Sequence, residues 1–258
     1  MKQPACDLFD SCCIRPTVED LHDALAALLM NAAFRAIQAR GVFHLALSGG
    51  STPEPFFVHL VIDLRFRAIP WEYTHLWQVD ERRVPEDDPQ RNWKMIHETL
   101  ADHVPAKTRQ RHPMPVLDPD PAGRYEAELW QQVAAGEVGG RKLPRLDFIL
   151  LGMGGDGHTA SLFPGSPALQ EHQKLVAINA GPKVTPPDRL TLTYPLLNAA
   201  RQAAVLVTGE SKRATLNRIA AQIRTQGRDP QTYPITGLDL ADGELTWFAD
   251  QAAGADLA

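Results

Sequence analysis

The chain has 258 residues, of which 44% are hydrophobic and 22% are charged, and its formal net charge is −5. This composition is typical of a globular protein, and the length predicts one large domain over residues 1–258, in which the first ~17 residues are a lead-in. The small negative charge excludes a broad basic surface for nucleic acid, so any bound anion has to be held by a local site.

Membrane proteins and metalloproteins are also disfavoured. No apolar run approaches the roughly 18 residues that a membrane-spanning helix needs, and no signal peptide is evident. Cys6, Cys12 and Cys13 lack the spacing of a zinc site, and the histidines form no H-E-x-x-H or H-x-x-x-H pair. We expect a cytoplasmic protein with reduced thiols, no membrane partner and no metal.

The predicted elements begin with a helix and a strand. Apolar residues recur at helical spacing over residues 18–39, and Gly41 ends that helix. A strand follows over residues 42–47, and residues 55–64 can form a second helix. This alternation of helix and strand is typical of an α/β protein.

The first strand ends in a glycine turn, which consists of Ser48, Gly49, Gly50, Ser51 and Thr52. Free backbone N–H groups and the positive end of the following helix suit a phosphate at such a turn. Ser51 and Glu54 have the spacing of a capping box. Thr52 before Pro53 is an equally good cap. A tight, capped turn without a ligand is the alternative for this segment alone.

A further strand, over residues 74–79, leads directly into Asp80, Glu81 and Arg82. In open α/β sheets the carboxyl ends of the strands face the ligand crevice, so these side chains are expected near the first glycine turn. Taken alone, they also fit a solvated run of charges.

Residues 146–167 form the most informative segment. The run over 148–151 predicts a strand that is buried on both faces. Four glycines follow within residues 152–157, and His158 comes next. Glycines let the backbone approach a ligand closely, and an imidazole supplies an acid or a base near neutral pH. The segment therefore predicts an active site.

The same glycines match the G-x-G-x-x-G pattern of dinucleotide sites. Such a site needs a long helix directly after the glycines and an acidic residue about 20 positions further on. Pro164 and Gly165 interrupt any such helix, and the next apolar stretch, residues 175–178, ends in Asn179. A nicotinamide or flavin site is therefore disfavoured.

Two cations accompany the later strands. Arg189 precedes the Leu-Thr-Leu-Thr stretch over residues 190–193, and Lys212 follows the apolar run over 203–207. Both are candidates for binding an anionic substrate.

Several segments together resemble one known family. They are LSGGSTP, QVDERRVP followed by RNWKM, LGMGGDGHTASLFPGS, RLTLTYPLLNAA, VTGESK and GELTWFAD. In order and spacing they resemble the 6-phosphogluconolactonases, from about residue 18 to about residue 250. The resemblance implies a Rossmann-like, mostly parallel sheet flanked by helices, with room for a small subsidiary lobe. It also implies hydrolysis of 6-phospho-D-glucono-1,5-lactone to 6-phospho-D-gluconate in the pentose phosphate pathway, without a cofactor.

The glucosamine-6-phosphate deaminases share this fold and the Gly-Asp-Gly-His segment. After the histidine, this chain continues as Thr-Ala-Ser-Leu-Phe-Pro, where the deaminase pattern has Ile-Ala-Phe-Asn-Glu-Pro. The chain also has Asp-Glu-Arg from Asp80, where the deaminase pattern has Asp-Glu-Tyr. Both differences favour the lactonase. One departure from the lactonase pattern is Arg91, which replaces a serine before Asn92 and leaves the role of this position open.

The residues support the same chemistry independently of the resemblance. Hydrolysis of a sugar lactone needs a base for water, donors for the oxyanion and a grip on the phosphate. We expect His158 to be the general base, with Asp156 as its orienting carboxylate. Arg82 or the backbone amides of residues 152–157 are candidates for stabilising the oxyanion.

The other candidate site residues bind the substrate. The phosphate is assigned to Ser48, Gly49, Gly50, Ser51, Thr52, Arg189 and Lys212. The sugar hydroxyls are assigned to Asp80 and Asn92, and further substrate contacts are expected from Glu81, Gly154, Gly155 and Gly157.

Two alternatives stay open. One is a deaminase or isomerase of the same fold that acts on an amino-sugar phosphate. The other is a non-catalytic sugar-phosphate-binding domain, although the ~17 residues before the first helix leave no room for the DNA-binding helices that usually accompany such a sensor. The expected partner is a small sugar-phosphate lactone, and the expected assembly is a monomer or a weak homodimer.

Overall fold

Helices and strands alternate along most of the chain. The computed structural model describes residues 11–181 and 184–257. Of the three cysteines, Cys6 lies outside these residues, and Cys13 carries a free thiol.

The strands of the described residues are β1 Cys12–Arg15, β2 Phe43–Leu47, β3 Thr74–Gln78, β4 Asp80–Arg82, β5 Arg111–His112, β6 Ala135–Val138, β7 Arg141–Pro144, β8 Phe148–Gly152, β9 Val176–Ala180, β10 Asp188–Leu192, β11 Gln202–Val207 and β12 Glu244–Asp250. The α-helices are α1 Val18–Arg40, α2 Glu54–Ile62, α3 Asn92–Ile96, α4 Pro121–Gln132, α5 Tyr194–Leu197, α6 Arg213–Gln226 and α7 Gln251–Gly254. Short 3-10 segments join several of these elements.

Seven strands form a parallel sheet in the order β1-β12-β11-β8-β2-β3-β5. After β2 the chain adds β3 and then β5 on one side of the sheet. After β8 it adds β11 and then β12 on the other side. The winding therefore reverses between β2 and β8. In open α/β sheets the carboxyl ends of the strands at such a reversal border the ligand crevice. The predicted Rossmann-like sheet flanked by helices is confirmed.

Helices cover both faces of this sheet, and β8 shows the consequence for the sequence. Phe148 and Leu150 pack into the core formed with α1, α2 and α3. Ile149 and Leu151 point to the other face and pack with α4 and α6. A strand buried on both faces has no position for a polar side chain, which explains the uninterrupted apolar run.

Helix α1 begins and ends at residues whose chemistry favours those positions. The Thr17 side chain accepts a hydrogen bond from the Asp20 backbone N–H at 3.0 Å. Gly41 ends the helix with φ at 75°, a left-handed conformation that glycine adopts at little cost. The helix predicted over residues 18–39 is confirmed.

Helix α2 begins differently from the sequence prediction. Its N-cap is Pro53, and no side chain of the described residues caps its first turn. Both predicted caps, through Ser51 or through Thr52, are therefore wrong. The two hydroxyls do not bind the N–H groups of this helix, and the turn before it keeps polar groups for other partners.

A smaller antiparallel sheet is formed by β4, β10 and β9. In its register Thr191 lies opposite Asp80, and Arg189 lies opposite Arg82. The polar run after β3 is therefore a short strand of a second sheet, in the subsidiary part for which the sequence leaves room. A separate hairpin joins β6 to β7. Among the described helices, none is both long and apolar enough to cross a bilayer.

A stack of histidines connects β2, β3 and β5. His75 Nδ1 lies 2.9 Å from His112 Nε2, and His112 Nδ1 lies 2.6 Å from Glu128 Oε1. Trp77 donates its indole N–H to His44 Nδ1 at 3.1 Å. Burial, reinforced by the neighbouring histidines, lowers the pKa of His44 to about 3 and the pKa of His75 to about 4. Both rings are therefore neutral in the folded protein at physiological pH.

We expect this stack to make the protein less stable in mild acid. In the unfolded chain these histidines take up protons near pH 6.5, whereas the folded protein resists protonation down to about pH 4, so the free energy of unfolding falls as the pH drops below about 6.5. His44 contributes at most about 1.4 kcal/mol per pH unit over that range. Urea unfolding at pH 7, 6 and 5 measures this slope. The slope should decrease in His44→Gln and not in the exposed control His172→Gln, and an unchanged slope in His44→Gln would contradict the assignment.

Candidate active site

The two glycine turns lie side by side at the carboxyl edge of the main sheet. β2 and β8 are neighbours in which Leu47 lies opposite Leu150. The Ser48 backbone N–H extends this pairing by donating to the Leu150 carbonyl at 3.0 Å. Residues 48–52 and residues 152–157 therefore leave adjacent strands at the same edge, as the sequence predicts.

His158 and Asp156 form a direct pair at the end of the second turn. His158 Nδ1 lies 2.5 Å from Asp156 Oδ1, and the His158 backbone N–H donates to the same oxygen at 3.1 Å. The imidazole is about a quarter exposed, with a relative exposure of 27%, and it packs against the Phe163 ring at 5.0 Å between centroids. Partial burial raises the pKa of Asp156, but the hydrogen bond and the charge of His158 outweigh it and lower the pKa below its usual value. Asp156 is therefore an ionised acceptor.

The glycines of this turn make room for the imidazole. The Gly154 N–H donates to the His158 carbonyl at 2.8 Å, and the Gly157 N–H donates to the Gly154 carbonyl at 3.0 Å. A Cβ at position 154 would overlap the His158 ring. Gly157 has φ at 84°, which favours glycine, and it packs against Tyr233. The turn is thus shaped around the histidine.

The segment after this turn differs from a dinucleotide-binding unit. The first helical segment that follows is the 3-10 segment Pro167–Gln170, and no α-helix occurs before α5 in the described part of the chain. The helix that would bind a pyrophosphate is therefore missing from residues 158–181, in agreement with the sequence analysis.

Helix α6 holds the second turn from the side of β11. Thr215 on α6 donates its hydroxyl to the Gly155 carbonyl at 2.6 Å, and Arg218 donates to the same hydroxyl at 2.8 Å. Lys212 lies in the 3-10 segment Glu210–Lys212 just before α6, and its side chain is half-buried. Within residues 11–181 and 184–257, its ammonium group forms no hydrogen bond or ion pair. Sequence reasoning missed Thr215, since nothing in the local pattern marks its contact with Gly155.

The first turn retains unused polar groups. The Ser48 hydroxyl is buried and has no hydrogen-bond partner in the described part of the chain. Gly50 adopts φ at 102°, and Gly49 packs so closely against Asn92 that a Cβ would overlap the amide. Ser51 is exposed and Thr52 is half-buried. A buried hydroxyl without a partner is costly, so Ser48 fits a position that a ligand completes.

Hydrogen bonds link this turn to β4 and to the histidine loop. Arg82 Nη1 donates to Asn92 Oδ1 at 2.5 Å, and Asn92 Nδ2 donates to the Asp80 carbonyl at 3.0 Å. The Ser161 hydroxyl donates to Asp80 Oδ2 at 2.7 Å. Since Asn92 also contacts Gly49, these contacts connect the first glycine turn continuously to the loop that carries His158.

Glu81 does not line the crevice, so its predicted contact with substrate is wrong. Its side chain is fully buried, and its two oxygens accept hydrogen bonds from the backbone N–H groups of Arg82, Asn92 and Trp93, at 2.7, 2.8 and 2.7 Å, and from Gln78 Nε2 at 2.8 Å. Burial raises the pKa of Glu81, while these hydrogen bonds oppose the rise. Glu81 therefore anchors the start of α3 and the position of Asn92.

Arg91 has a structural role, which answers the question left by the sequence. It is buried, its Nε lies 3.3 Å from Glu81 Oε2, and its other nitrogens donate to the carbonyls of Val84 and Met114 at 2.8 and 3.0 Å. Arg189 is also buried and donates to the Pro186 carbonyl. Burial and the nearby charge of Arg82 lower the pKa of Arg189.

One cluster of metal-binding residue types occurs among the described residues, far along the chain from the histidine loop. It consists of Asp23, His59 and Asp63. Arg65 already donates to both carboxylates, at 2.6 Å to Asp23 and 2.5 Å to Asp63. This arginine supplies the positive charge that these carboxylates need.

Comparison with known proteins agrees with this architecture. Residues 16–247 match the family described as glucosamine-6-phosphate isomerases/6-phosphogluconolactonase. The chain belongs to this family.

Curated relatives include members of the family from bacteria and mammals. The chain is 42% identical to the 6-phosphogluconolactonase of Synechocystis over 228 residues, which cover 86% of this chain and 88% of the relative. It is 38% identical to the human GDH/6PGL endoplasmic bifunctional protein over 91% of this chain, but that match spans only 29% of the length of the human protein.

Solved structures of the family superpose over nearly the whole chain. The 6-phosphogluconolactonase from Trypanosoma cruzi has a TM-score of 0.81 and 25% identity, covering 96% of this chain and 97% of that chain. A monomeric glucosamine-6-phosphate deaminase has a TM-score of 0.75 at 18% identity, covering 95% of this chain and 99% of that chain, and this match shows a shared fold.

A methyl group at Gly154 should disable the site without unfolding it. We expect Gly154→Ala to displace the His158 ring and to lower kcat about 100-fold, the cost of misplacing a reacting group by about 1 Å. Gly152→Ala is the matched comparison, because its methyl would meet no atom within 4 Å, and it should lose far less activity. Steady-state kinetics with circular dichroism as a folding check measure both variants. Equal kcat in the two folded variants would show that the turn does not set the imidazole position.

Proposed function

We propose that this chain hydrolyses 6-phospho-D-glucono-1,5-lactone to 6-phospho-D-gluconate, the oxidative-branch reaction of the pentose phosphate pathway. The observation that carries the proposal is the His158–Asp156 pair at the switch point of the sheet. It lies beside a glycine turn with a buried hydroxyl that has no hydrogen-bond partner among the described residues. Family membership and the curated relatives support the same reaction.

The geometry of the pair supports one arrangement of the protons. An ionised carboxylate can only accept hydrogen bonds, so Nδ1 of His158 carries the proton that faces Asp156. The Nε2 atom then has a free lone pair that can remove a proton from water. Asp156 fixes this tautomer and stabilises the imidazolium that forms.

Hydrolysis then follows in two proton transfers. Water, deprotonated by His158, attacks the lactone carbonyl carbon, and the carbonyl oxygen becomes an oxyanion. The Arg82 guanidinium or the backbone amides of the second glycine turn stabilise this oxyanion. The bond between the carbonyl carbon and the ring oxygen breaks, and the imidazolium returns its proton to the leaving alkoxide. The product is an open-chain carboxylic acid with a free hydroxyl group, and the acid releases its proton to solvent to give the carboxylate of 6-phospho-D-gluconate.

The first glycine turn is proposed to hold the phosphate. The buried Ser48 hydroxyl, the Ser51 and Thr52 hydroxyls and the backbone N–H groups supply donors. Lys212 supplies a positive charge that has no partner in the described part of the chain. Arg189 contributes a second positive charge from β10.

Removal of the proposed base should slow lactone opening strongly. We expect His158→Ala to lower kcat 100- to 10,000-fold, as is typical for loss of a general base, with little change in substrate binding. A pH-stat assay with fresh lactone, corrected for spontaneous hydrolysis, measures the rate. His172→Ala is the control, since this histidine is exposed and outside the site. Activity within a few-fold of the control would overturn the role of His158.

Removal of Lys212, which is proposed to bind the phosphate, should weaken substrate binding more than it slows the reaction. We expect Lys212→Ala to raise KM about tenfold or more, with a smaller effect on kcat, because an interaction with the non-reacting phosphate contributes alike to the ground state and the transition state. Lys142→Ala, on the exposed side of the β6–β7 hairpin, is the matched control for loss of one positive charge. A fall in kcat at unchanged KM would place Lys212 at the reacting centre.

Assay of the reaction products separates this function from the deaminase alternative. Formation of 6-phosphogluconate supports the lactonase, whereas release of ammonia from glucosamine-6-phosphate would establish the deaminase. The cytoplasmic location, the single domain and the monomer or weak homodimer stay predictions.

A further inference from the structure

Ser161 is buried in the loop that carries His158, and each of its polar groups has a partner. Its hydroxyl donates to Asp80 Oδ2 at 2.7 Å, its N–H donates to Thr191 Oγ1 at 3.1 Å, and its carbonyl accepts from Asn179 Nδ2 at 2.7 Å. Thr191 is also the register partner of Asp80 across β10 and β4. Ser161 and Asp80 are therefore fixed to the same point of the small sheet.

The backbone next to Ser161 carries strain. Ala160 has φ at 49°, and it is the non-glycine residue with positive φ in the described part of the chain. A residue with a Cβ adopts this conformation at an energetic cost, because its Cβ comes close to the backbone. The neighbouring turn is closed by the Leu162 N–H, which donates to the Thr159 carbonyl at 2.9 Å. The strained turn lies between His158 and Ser161 and so fixes the relative positions of both residues. Backbone strain of this kind is typical of a functional constraint.

Asp80 has one oxygen occupied and one oxygen open. Oδ2 accepts from Ser161, while Oδ1 has no hydrogen-bond partner among the described residues and is not sealed from solvent. The residue as a whole is only 8% exposed, so its side chain has little freedom to turn. One fixed acceptor oxygen at the rim of the crevice is suited to a sugar hydroxyl.

We propose that Ser161 is a positioning residue that sets substrate preference through Asp80. This inference rests on the proposed function. The Ser161 hydroxyl holds the carboxylate so that Oδ1 accepts from a sugar hydroxyl, and it offsets part of the negative charge that would otherwise attract the ammonium group of an amino sugar. The deaminase pattern has phenylalanine at this place, and a phenylalanine ring cannot donate this hydrogen bond.

Ligand binding tests the role of Ser161 separately from turnover. The probes are 6-phosphogluconate and glucosamine-6-phosphate, titrated by calorimetry into the full chain. In Ser161→Ala we expect 6-phosphogluconate to bind about 10- to 100-fold more weakly, the usual effect of losing a hydrogen bond to a charged group. Glucosamine-6-phosphate should lose much less affinity, so the ratio of the two dissociation constants should shift at least about tenfold. Ser161→Thr, which keeps the hydroxyl, should restore the ratio.

Two further variants distinguish positioning from general damage. Ser166→Ala removes another buried hydroxyl of the same loop, which accepts from Asn179 Nδ2 at 2.9 Å and does not contact Asp80, so it should leave the ratio unchanged. In an Asp80→Asn background, Ser161→Ala should change the ratio less than about twofold, because its effect acts through the carboxylate. The proposal would be overturned if Ser161→Ala lost affinity for both ligands equally. It would also be overturned if Ser161→Ala shifted the ratio of dissociation constants fully in the Asp80→Asn background.

Turnover of the wild type separates the two proposals. A wild type that binds 6-phosphogluconate but does not hydrolyse the lactone contradicts the proposed function, and the binding ratios still decide the role of Ser161. If the wild type hydrolyses the lactone, the proposed function stands. The role of Ser161 is then overturned if Ser161→Ala and Ser166→Ala show the same ratio of dissociation constants and the same KM.

Discussion

The parallel pairing of β2 with β8 is the constraint on which the candidate site depends. These strands are separated by about a hundred residues of chain, yet Leu47 lies opposite Leu150 and the Ser48 N–H extends the ladder to the Leu150 carbonyl. Both strands are buried on both faces. A shift of their pairing by one residue would therefore move each apolar side chain to the opposite face of the sheet, where it does not fit the core. The register that satisfies the core therefore also fixes the distance between the two glycine turns.

A buried carboxylate organises the next part of the crevice. Glu81 is withdrawn from water at a large desolvation cost, and it is stabilised by backbone N–H groups, Gln78 and the Arg91 guanidinium. These bonds hold Asn92 against Gly49 and Arg82. Arg91, where the family pattern has serine, thus supplies a positive charge for the buried carboxylate. The replacement of serine by Arg91 therefore stabilises Glu81, which positions Asn92, and it does not place a new group in the candidate site.

The sequence predicts those features that local patterns determine. The helix over 18–39, the apolar strands and both glycine turns follow from periodicity and composition, and the adjacency of the turns follows from the rules of open α/β sheets. The position of Glu81 could not be predicted, since a charge after a strand reads equally as ligand or anchor until β4 pairs with β10. The absent cap of α2 and the contact of Thr215 with Gly155 also depend on distant partners. Long-range contacts decide these cases, and local propensity does not encode them.

The places where this chain departs from local rules fall together at the candidate site. The buried Ser48 hydroxyl has no hydrogen-bond partner within residues 11–181 and 184–257, and Ala160 adopts a left-handed backbone conformation. Gly154 leaves room for the His158 ring, which any other residue would displace. Each feature costs stability, and each lies in the chain segment that directly follows the carboxyl end of β2 or β8. A protein with only structural demands would relieve them by substitution of one residue. Their persistence beside the His158–Asp156 pair is what a preorganised site requires, because groups fixed in advance need not be reordered when the substrate reacts.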